Sequence, residues 1–316
     1  MNSFLILISI IFLLFLQFGT TFAKKIKLID KNNIPLIGGI FLYIGFVVNF
    51  FYLNDDNKIN EYLIDLNFLS SIFIISLLDD RYKLRPSTRL LLIVFLLILF
   101  VDKNNLSISN LNFETFGFYY FSEIKIVKYL FPVFCLIVLI NAYNFTDGIN
   151  GLASLIGASW FIYLFLNYPF LTDLYKIFLI FIILFLVLNF LNKSYLGDSG
   201  NYLISIIIGF IIISLNQKMP YSIYVEEILL LFLIPGIDLI RLFFKRLINK
   251  KNPLQGDQDH FHHILISKFN LKKTLIIYLG LINIPLYIYY FFKSNIIFLL
   301  ILSTLAYMYL VKKLSK

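Results

Sequence analysis

The stretch from residue 141 to residue 153 carries the densest group of side chains that could bind a small polar ligand. It reads Asn-Ala-Tyr-Asn-Phe-Thr-Asp-Gly-Ile-Asn-Gly-Leu-Ala, and apolar runs enter and leave it. The amides of Asn141, Asn144 and Asn150 can recognise a base or a sugar, and the Asp147 carboxylate can orient a phosphate through a cation. Taken alone, the stretch is equally typical of a capped turn between two helices. Because further polar motifs occur along the chain, we favour a ligand-binding loop at a membrane surface.

Acidic residues stand at the ends of two further apolar runs. Asp79 and Asp80 close one run, and Asp198 follows another. Carboxylates at several helix ends supply the oxygen ligands that Mg²⁺ prefers, and Mn²⁺ accepts the same ligands. An Asp pair at a helix end is commonly a solvated terminus, but at a C-terminal end its charge opposes the helix dipole. We therefore predict that one of the pair serves the metal or substrate and the other orients it or acts as a base.

The three histidines of the chain lie within four residues, in a polar and basic segment from residue 249 to residue 273. His260, His262 and His263 could hold zinc. No cysteine stands nearby, however, and the surrounding lysines favour a surface loop that binds phosphate through imidazoles whose charge is tunable near neutral pH. Lys31 and Lys83 could contact phosphate as well, although juxtamembrane lysines usually determine topology.

Long apolar runs must position all of these residues. Hydrophobic residues make up 60% of the 316 positions, and charged residues only 14%. Runs of roughly 16–22 apolar residues recur along the chain, which is the pattern of membrane-spanning helices. The sequence predicts an all-α, polytopic transmembrane helical bundle of about 11 spans, forming a single integral-membrane domain over residues 1–316. The polar motifs then lie in loops at about 24–37, 79–89, 141–151, 192–200 and 248–273.

The charge pattern predicts how the spans are oriented. With about 11 spans, every motif loop falls on one face, together with 20 of the 27 lysines and arginines. The positive-inside rule makes this face cytoplasmic, with the N-terminus outside and the C-terminus inside. The net charge of +9 is therefore largely a topology signal and gives no reason to expect nucleic acid. In the loop 102–127 on the other face, alternation at residues 106–109 predicts a short strand or hairpin.

A series of motifs along nearly the whole chain resembles those of one enzyme family. They are Ile34–Gly39, Leu78–Lys83, Asn141–Ala153, Gly197–Gly200, Pro235 with Asp238 and Arg241, and Asp257–His263. On these residues the chain resembles the polyprenyl-phosphate N-acetylhexosamine-1-phosphate transferases, which are membrane enzymes of glycosyltransferase family 4. The His-Phe-His-His pattern is similar to the branch that initiates surface-glycan synthesis rather than to the peptidoglycan branch.

The resemblance implies an activity and the substrates for it. It implies transfer of an N-acetylhexosamine-1-phosphate from a UDP-sugar, such as UDP-N-acetylglucosamine, to undecaprenyl phosphate in the bilayer. The reaction would release UMP and initiate an O-antigen, a capsule or another cell-wall polymer. The enzyme would lie in the bacterial inner membrane with its active site on the cytoplasmic face, and a homodimer is compatible with this arrangement.

The resemblance also implies roles for the candidate residues. Asp198 would bind Mg²⁺, and Asp79 and Asp80 would form the catalytic pair that deprotonates or orients the lipid phosphate. Asn144 and Asp147 would lie at the nucleotide, and the histidines would lie near the diphosphate.

The chain departs from the family pattern at three places. Asn150 stands where the family often has Asp, and Gln258 stands where sugar-initiating enzymes usually have Arg. The segment of basic residues and histidine that usually precedes Pro35 is reduced here to Lys27 and Lys31. Two alternatives to an active transferase follow from the sequence. A secondary transporter would also have many spans, but its ionisable groups usually lie near the bilayer midplane rather than at span ends. An inactive protein of the same fold would keep the motifs without turnover.

Overall fold

The computed structural model describes residues 2–30, 33–54, 64–104, 106–120, 125–171, 173–218, 223–250 and 259–315. Lys31, a predicted phosphate-binding residue, lies outside the described residues, as does Gln258, which departs from the family pattern.

The described part of the chain contains twelve helices and one short hairpin. The helices are α1 (Asn2–Lys25), α2 (Gly38–Asn54), α3 (Leu66–Tyr82), α4 (Pro86–Lys103), α5 (Lys125–Asn144), α6 (Leu152–Asn167), α7 (Asp173–Phe190), α8 (Gly197–Lys218), α9 (Val225–Ile248), α10 (Phe261–Lys268), α11 (Leu271–Phe292) and α12 (Ile296–Leu314). Helices thus dominate the described residues, and the all-α prediction is confirmed.

Several of these helices have the length and composition of membrane spans. In the described residues five helical segments are long and apolar enough to cross a membrane: 6–25, 126–144, 197–217, 271–292 and 296–314. Three shorter apolar segments, 38–51, 152–167 and 175–190, accompany them. The chain is therefore an all-α protein with several apolar helices of membrane-spanning type.

The hairpin lies in the loop where the alternating pattern predicted one, but a few residues further along. Strand β1 (Asn110–Phe113) pairs antiparallel with β2 (Gly117–Tyr120), and Gly117 adopts a φ of +75° at the turn. Residues 106–109 are not part of the hairpin, because Ile108 instead donates its N–H to the carbonyl of Lys128. The Glu226 carboxylate accepts from the N–H of Glu114 at 3.0 Å and from the hydroxyl of Thr115 at 2.9 Å, which holds the turn.

The chain divides into two compact units, which we describe one at a time. The first unit comprises Met1–Arg85 and Ala153–Ile204, and the second comprises Pro86–Leu152 and Ser205–Lys316. In the first unit, α2 packs on α7 through aromatic rings. The ring centroids are 5.4 Å apart for Phe41 and Phe181, and 5.8 Å apart for Phe46 and Phe178.

In the second unit, α9 packs against α11 and α12, and the short helix α10 is held against the same pair. The Phe261 ring is fully buried, with centroid distances of 5.5 Å to Tyr278 and 5.0 Å to Tyr307. This burial explains why part of the predicted surface loop is a helix instead, since an apolar anchor in α10 finds a pocket between two long helices.

Candidate functional site

Asp80 holds the start of α8 in the first unit. Its Oδ1 accepts from the N–H of Asp198 at 2.8 Å, and its Oδ2 accepts from the N–H and hydroxyl of Ser199 at 3.0 and 2.6 Å. The first N–H groups of a helix have no partner inside the helix and carry partial positive charge. The buried Asp80 carboxylate therefore caps α8, and the helix in turn stabilises its negative charge.

Glycines make this close approach of α3, α2 and α8 possible. Gly197 has a φ of +73°, and a Cβ at this position would lie 2.8 Å from Oδ2 of Asp80. Gly39 donates its N–H to the carbonyl of Leu196 at 3.0 Å, and a Cβ on Gly39 would collide with Ser199. The motif at residues 34–39 thus supports the start of α8 through backbone contacts.

Asp79 and Lys83 form the end of α3. Asp79 is buried, and its Oδ1 accepts from the N–H of Leu84 at 2.7 Å. Its carbonyl accepts from the N–H of Lys83, which adopts a left-handed φ of 52° as the C-cap and leaves its side chain exposed. An exposed ammonium group at this position is free to meet an anion.

Asp198 is the carboxylate of this group that best suits a cation. It lies in the first turn of α8, half-exposed, with its backbone fixed by Asp80. Among the described residues no three His, Cys, Asp or Glu side chains converge as a ready-made metal cage. Mg²⁺ does not need one, because it is usually held by one or two carboxylates together with water and substrate phosphates. The donor chemistry at Asp198 therefore fits Mg²⁺.

The polar stretch at residues 141–151 is a chain of turns in the second unit. Asn141 donates its side-chain amide to the carbonyl of Ile137 at 2.8 Å, whereas the side chains of Asn144, Asp147 and Asn150 are half-buried. Gly151 leads into α6 with a φ of +83°. Backbone hydrogen bonds, such as that from the N–H of Thr146 to the carbonyl of Tyr143, fold the stretch into turns. Its polar side chains are partly exposed, so a turn between helices and a ligand-binding loop are compatible.

The histidines contact this stretch, but they do not form a surface loop. His260 and His262 are buried, and only His263 is half-exposed. The ring of His260 lies 4.8 Å from that of Phe145, and a Cβ on Gly148 would collide with Nε2 of His262. The expectation of a surface loop was therefore wrong, because Phe261 draws the segment into the packing between helices.

Burial also changes the charge expected of His262. Desolvation lowers the pKa of His262 to about 3, and the neighbouring His263 and His260 contribute to the lowering. His262 is therefore neutral near pH 7, so the prediction of a tunable positive charge fails for this ring.

Asp238 anchors the histidine helix and was not among the predicted site residues. Its carboxylate accepts from Nδ1 of His260 at 2.9 Å, from Nη2 of Arg241 at 2.7 Å and from the hydroxyl of Tyr307 at 2.6 Å. Asp238 and Arg241 stand three residues apart in α9, a spacing at which oppositely charged side chains pair on one helix. Tyr307 and Ser199 were missed because their partners stand 69 and 119 residues away, and no local pattern announces such contacts.

The fold and the site together define a class, an all-α protein with apolar helices and polar motifs at the helix ends. The sequence model described as "Glycosyl transferase family 4" matches residues 62–216. The chain is similar to this family over those residues.

Relatives with a shared name extend the similarity beyond the matched region. The "Undecaprenyl-phosphate alpha-N-acetylglucosaminyl 1-phosphate transferase" of Escherichia coli (strain K12) is 28% identical over 275 residues, covering 80% of this chain and 73% of the relative. The protein of the same name from Yersinia pestis is 27% identical, covering 84% and 77%. That from Thermotoga maritima is 25% identical, covering 82% and 79%.

Proposed function

We propose that this protein transfers N-acetylhexosamine-1-phosphate from a UDP-sugar to undecaprenyl phosphate and releases UMP. The observation that carries the proposal is that relatives aligned over about four fifths of the chain share a name describing this transfer. UDP-N-acetylglucosamine is the first donor to test, because that name specifies N-acetylglucosamine. The product would be the lipid-linked starting unit of a cell-surface glycan.

The chemistry is one displacement at phosphorus. An oxygen of the lipid phosphate forms a bond to the β-phosphorus of the UDP-sugar. The bond from the β-phosphorus to the oxygen that bridges it to the α-phosphorus breaks, and UMP leaves with that oxygen. Positioning and stabilisation of the developing charge account for most of the rate in such transfers.

In the first unit, Asp198 would hold Mg²⁺, or Mn²⁺ in its place. The ion would supply neutralisation of phosphate charge. Asp80 caps α8 and thereby keeps Asp198 in position, so Asp80 would contribute to the reaction indirectly. Asp79 is then the candidate that orients or deprotonates the lipid phosphate, and the exposed Lys83 would attract it.

In the second unit, Asn144, Asp147 and Asn150 would contact the nucleotide, and the histidine helix would contact the remainder of the donor. Asn141 would support the turn, because its amide is bonded to its own helix. Lys31 keeps its proposed role in phosphate binding, although it lies outside the described residues.

We also propose that the chain has about 11 spans in a bacterial inner membrane, with the N-terminus outside, the C-terminus inside and the motif loops in the cytoplasm. The unequal distribution of lysine and arginine supports this orientation. A homodimer is compatible with it.

The experiment is turnover by purified protein with undecaprenyl phosphate and a panel of UDP-N-acetylhexosamines, following UMP release. Asp198→Asn should lower the rate by at least about 100-fold, since it removes a charged metal ligand. The exposed Asp102 at the end of α4 provides the matched control, Asp102→Asn, which should keep the full rate. An inactive protein of the same fold would release no UMP with any donor, and full activity in excess chelator would contradict the metal role.

A further inference from the structure

The Asp238 carboxylate joins three helices of the second unit through hydrogen bonds. Besides His260 and Arg241, it accepts from the N–H of Phe261 at 3.2 Å and from the Tyr307 hydroxyl of α12 at 2.6 Å. Tyr307 in turn accepts from Nε of Arg241 at 2.9 Å, so its hydroxyl both donates and accepts within this group. This group of four side chains, Asp238, Arg241, His260 and Tyr307, is called the Asp238 network below.

The network determines which nitrogen of His260 carries the proton. An ionised carboxylate only accepts hydrogen bonds, and Asp238 is ionised beside the Arg241 guanidinium at 2.7 Å. Nδ1 of His260, at 2.9 Å from Oδ2, must therefore be a donor. In the neutral ring the lone pair then lies on Nε2.

That lone pair has no partner in the part of the chain that the structure describes. Nε2 of His260 is buried and makes no hydrogen bond to any described residue. Two aromatic rings lie beside that of His260: the Phe145 centroid is 4.8 Å away, and the centroid of the nearly parallel His262 ring is 5.7 Å away. A buried acceptor left unsatisfied is costly, and the hydrogen bond from Nδ1 to Asp238 holds the ring in this orientation.

We propose that Asp238, Arg241 and Tyr307 are positioning residues that hold His260 as the Nδ1–H tautomer. Its Nε2 thereby accepts a hydrogen bond from an O–H or N–H group of the nucleotide-sugar donor. The ligand in this proposal rests on the proposed function, whereas the tautomer rests on the Asp238 network alone. Phe145 belongs to the polar stretch at residues 141–151, which places that stretch beside the same ring.

The tautomer can be measured directly, because the chain has only three histidines. Histidine-selective ¹⁵N labelling of the full-length protein gives at most three sets of ring signals, and His260→Gln assigns one of them. We expect a protonated Nδ1 and an unprotonated Nε2 for His260. Asp238→Asn should reverse this, because an amide can donate to Nδ1. An Nε2–H tautomer in the unaltered protein would overturn the proposal.

Ligand additions then identify the group that reaches Nε2. UDP-N-acetylglucosamine should shift the His260 Nε2 signal, and undecaprenyl phosphate alone should leave it unchanged. UMP added separately tells whether the nucleotide or the sugar supplies the donor, and either result supports the proposal. A shift caused by the lipid phosphate alone, or no shift with any of the three ligands, would overturn the assigned ligand.

Two pairs of variants separate positioning from general structural support. A Gln amide reaches the place of Nε2, whereas an Asn amide reaches only the place of Nδ1, so His260→Gln should retain at least about 10-fold more kcat/KM than His260→Asn. The opposite order would show that the bond to Asp238 is all that matters. Tyr307→Phe should lower kcat/KM about 10-fold, and Tyr309→Phe, on an exposed ring of the same helix, should change nothing. Equal effects of the two tyrosine variants would contradict the positioning role.

Failure of this proposal can be told apart from failure of the proposed function. If no UDP-sugar supports UMP release while His260 shows the Nδ1–H tautomer, the transfer and the assigned ligand fail and the network stands. If transfer is normal while His260 shows the Nε2–H tautomer, only the positioning role fails.

Discussion

Gly148 shows how much a single residue decides in the polar stretch. The position is exposed and its φ is not in the left-handed region, so alanine is compatible with the backbone. A Cβ there would nevertheless collide with the buried Nε2 of His262. Glycine is thus required at this position because the turn contacts the histidine helix. The backbone of the turn itself does not require it.

We therefore expect Gly148→Ala to lower kcat/KM by about 10-fold or more, because the Cβ would collide with Nε2 of His262 and the packed ring must move away, which misplaces its neighbours. Gly236→Ala is the matched control, since a Cβ on Gly236 has nothing within 4 Å. Steady-state kinetics of both variants, with thermal unfolding to verify folding, provide the measurement. Equal activity of the two variants would refute the importance of this contact.

His262 supplies a prediction on pH. Its native pKa of about 3 lies below the value of 6.5 for an exposed histidine, so the unfolded chain binds this proton more readily. Burial of the neutral ring therefore contributes fully to the free energy of unfolding above about pH 6.5. This contribution falls by about 1.4 kcal/mol for each pH unit below that value.

The thermal unfolding midpoint of the unaltered protein in detergent should consequently decrease as the pH is lowered from about 7.5 to 5. His262→Gln lacks the titrating group and should show a shallower decrease, even if it is less stable at pH 7.5. Parallel curves for the two proteins would contradict a buried neutral His262.

At the scale of elements, most helices follow directly from the sequence, because each apolar run is long enough to form one. Helix α10 does not, since its stability comes from Phe261 packing on Tyr278 and Tyr307, which are distant in sequence. The candidate site, like the helices, could be predicted only in part. The acidic and histidine motifs could be found by residue type, but Ser199 as partner of Asp80 and Tyr307 as partner of Asp238 depend on tertiary contacts that no local pattern contains.

The link between α3 and α8 gives a prediction at this scale. Asp80→Asn replaces one carboxylate oxygen by an NH₂ group, which must then face a donor of Asp198 or Ser199. A buried donor opposite another donor costs about 1–3 kcal/mol, so we expect a lower unfolding midpoint and slower UMP release together. Asp102→Asn again serves as control. Unchanged stability with lost activity would instead assign Asp80 a direct role in the chemistry.

For the whole molecule, the orientation in the membrane can be tested at the hairpin. Phe116 is 80% exposed at the hairpin turn, and it belongs to the loop that we assign to the outer face. In a Cys135→Ser background, Phe116→Cys should react with an impermeant maleimide in intact cells. Lys83→Cys, at the end of α3, should react only after permeabilisation. The reverse pattern would refute the proposed topology.

The central claim is that a phosphate moves together with the sugar, and the fate of the β-phosphorus tests it most directly. Purified protein in lipid nanodiscs would be given undecaprenyl phosphate and UDP-N-acetylglucosamine labelled with ³²P at the β-position. We predict that the label enters the lipid fraction, that the released nucleotide is unlabelled UMP, and that Asp198→Asn abolishes both. Label released as UDP, with sugar alone on the lipid, would contradict the account.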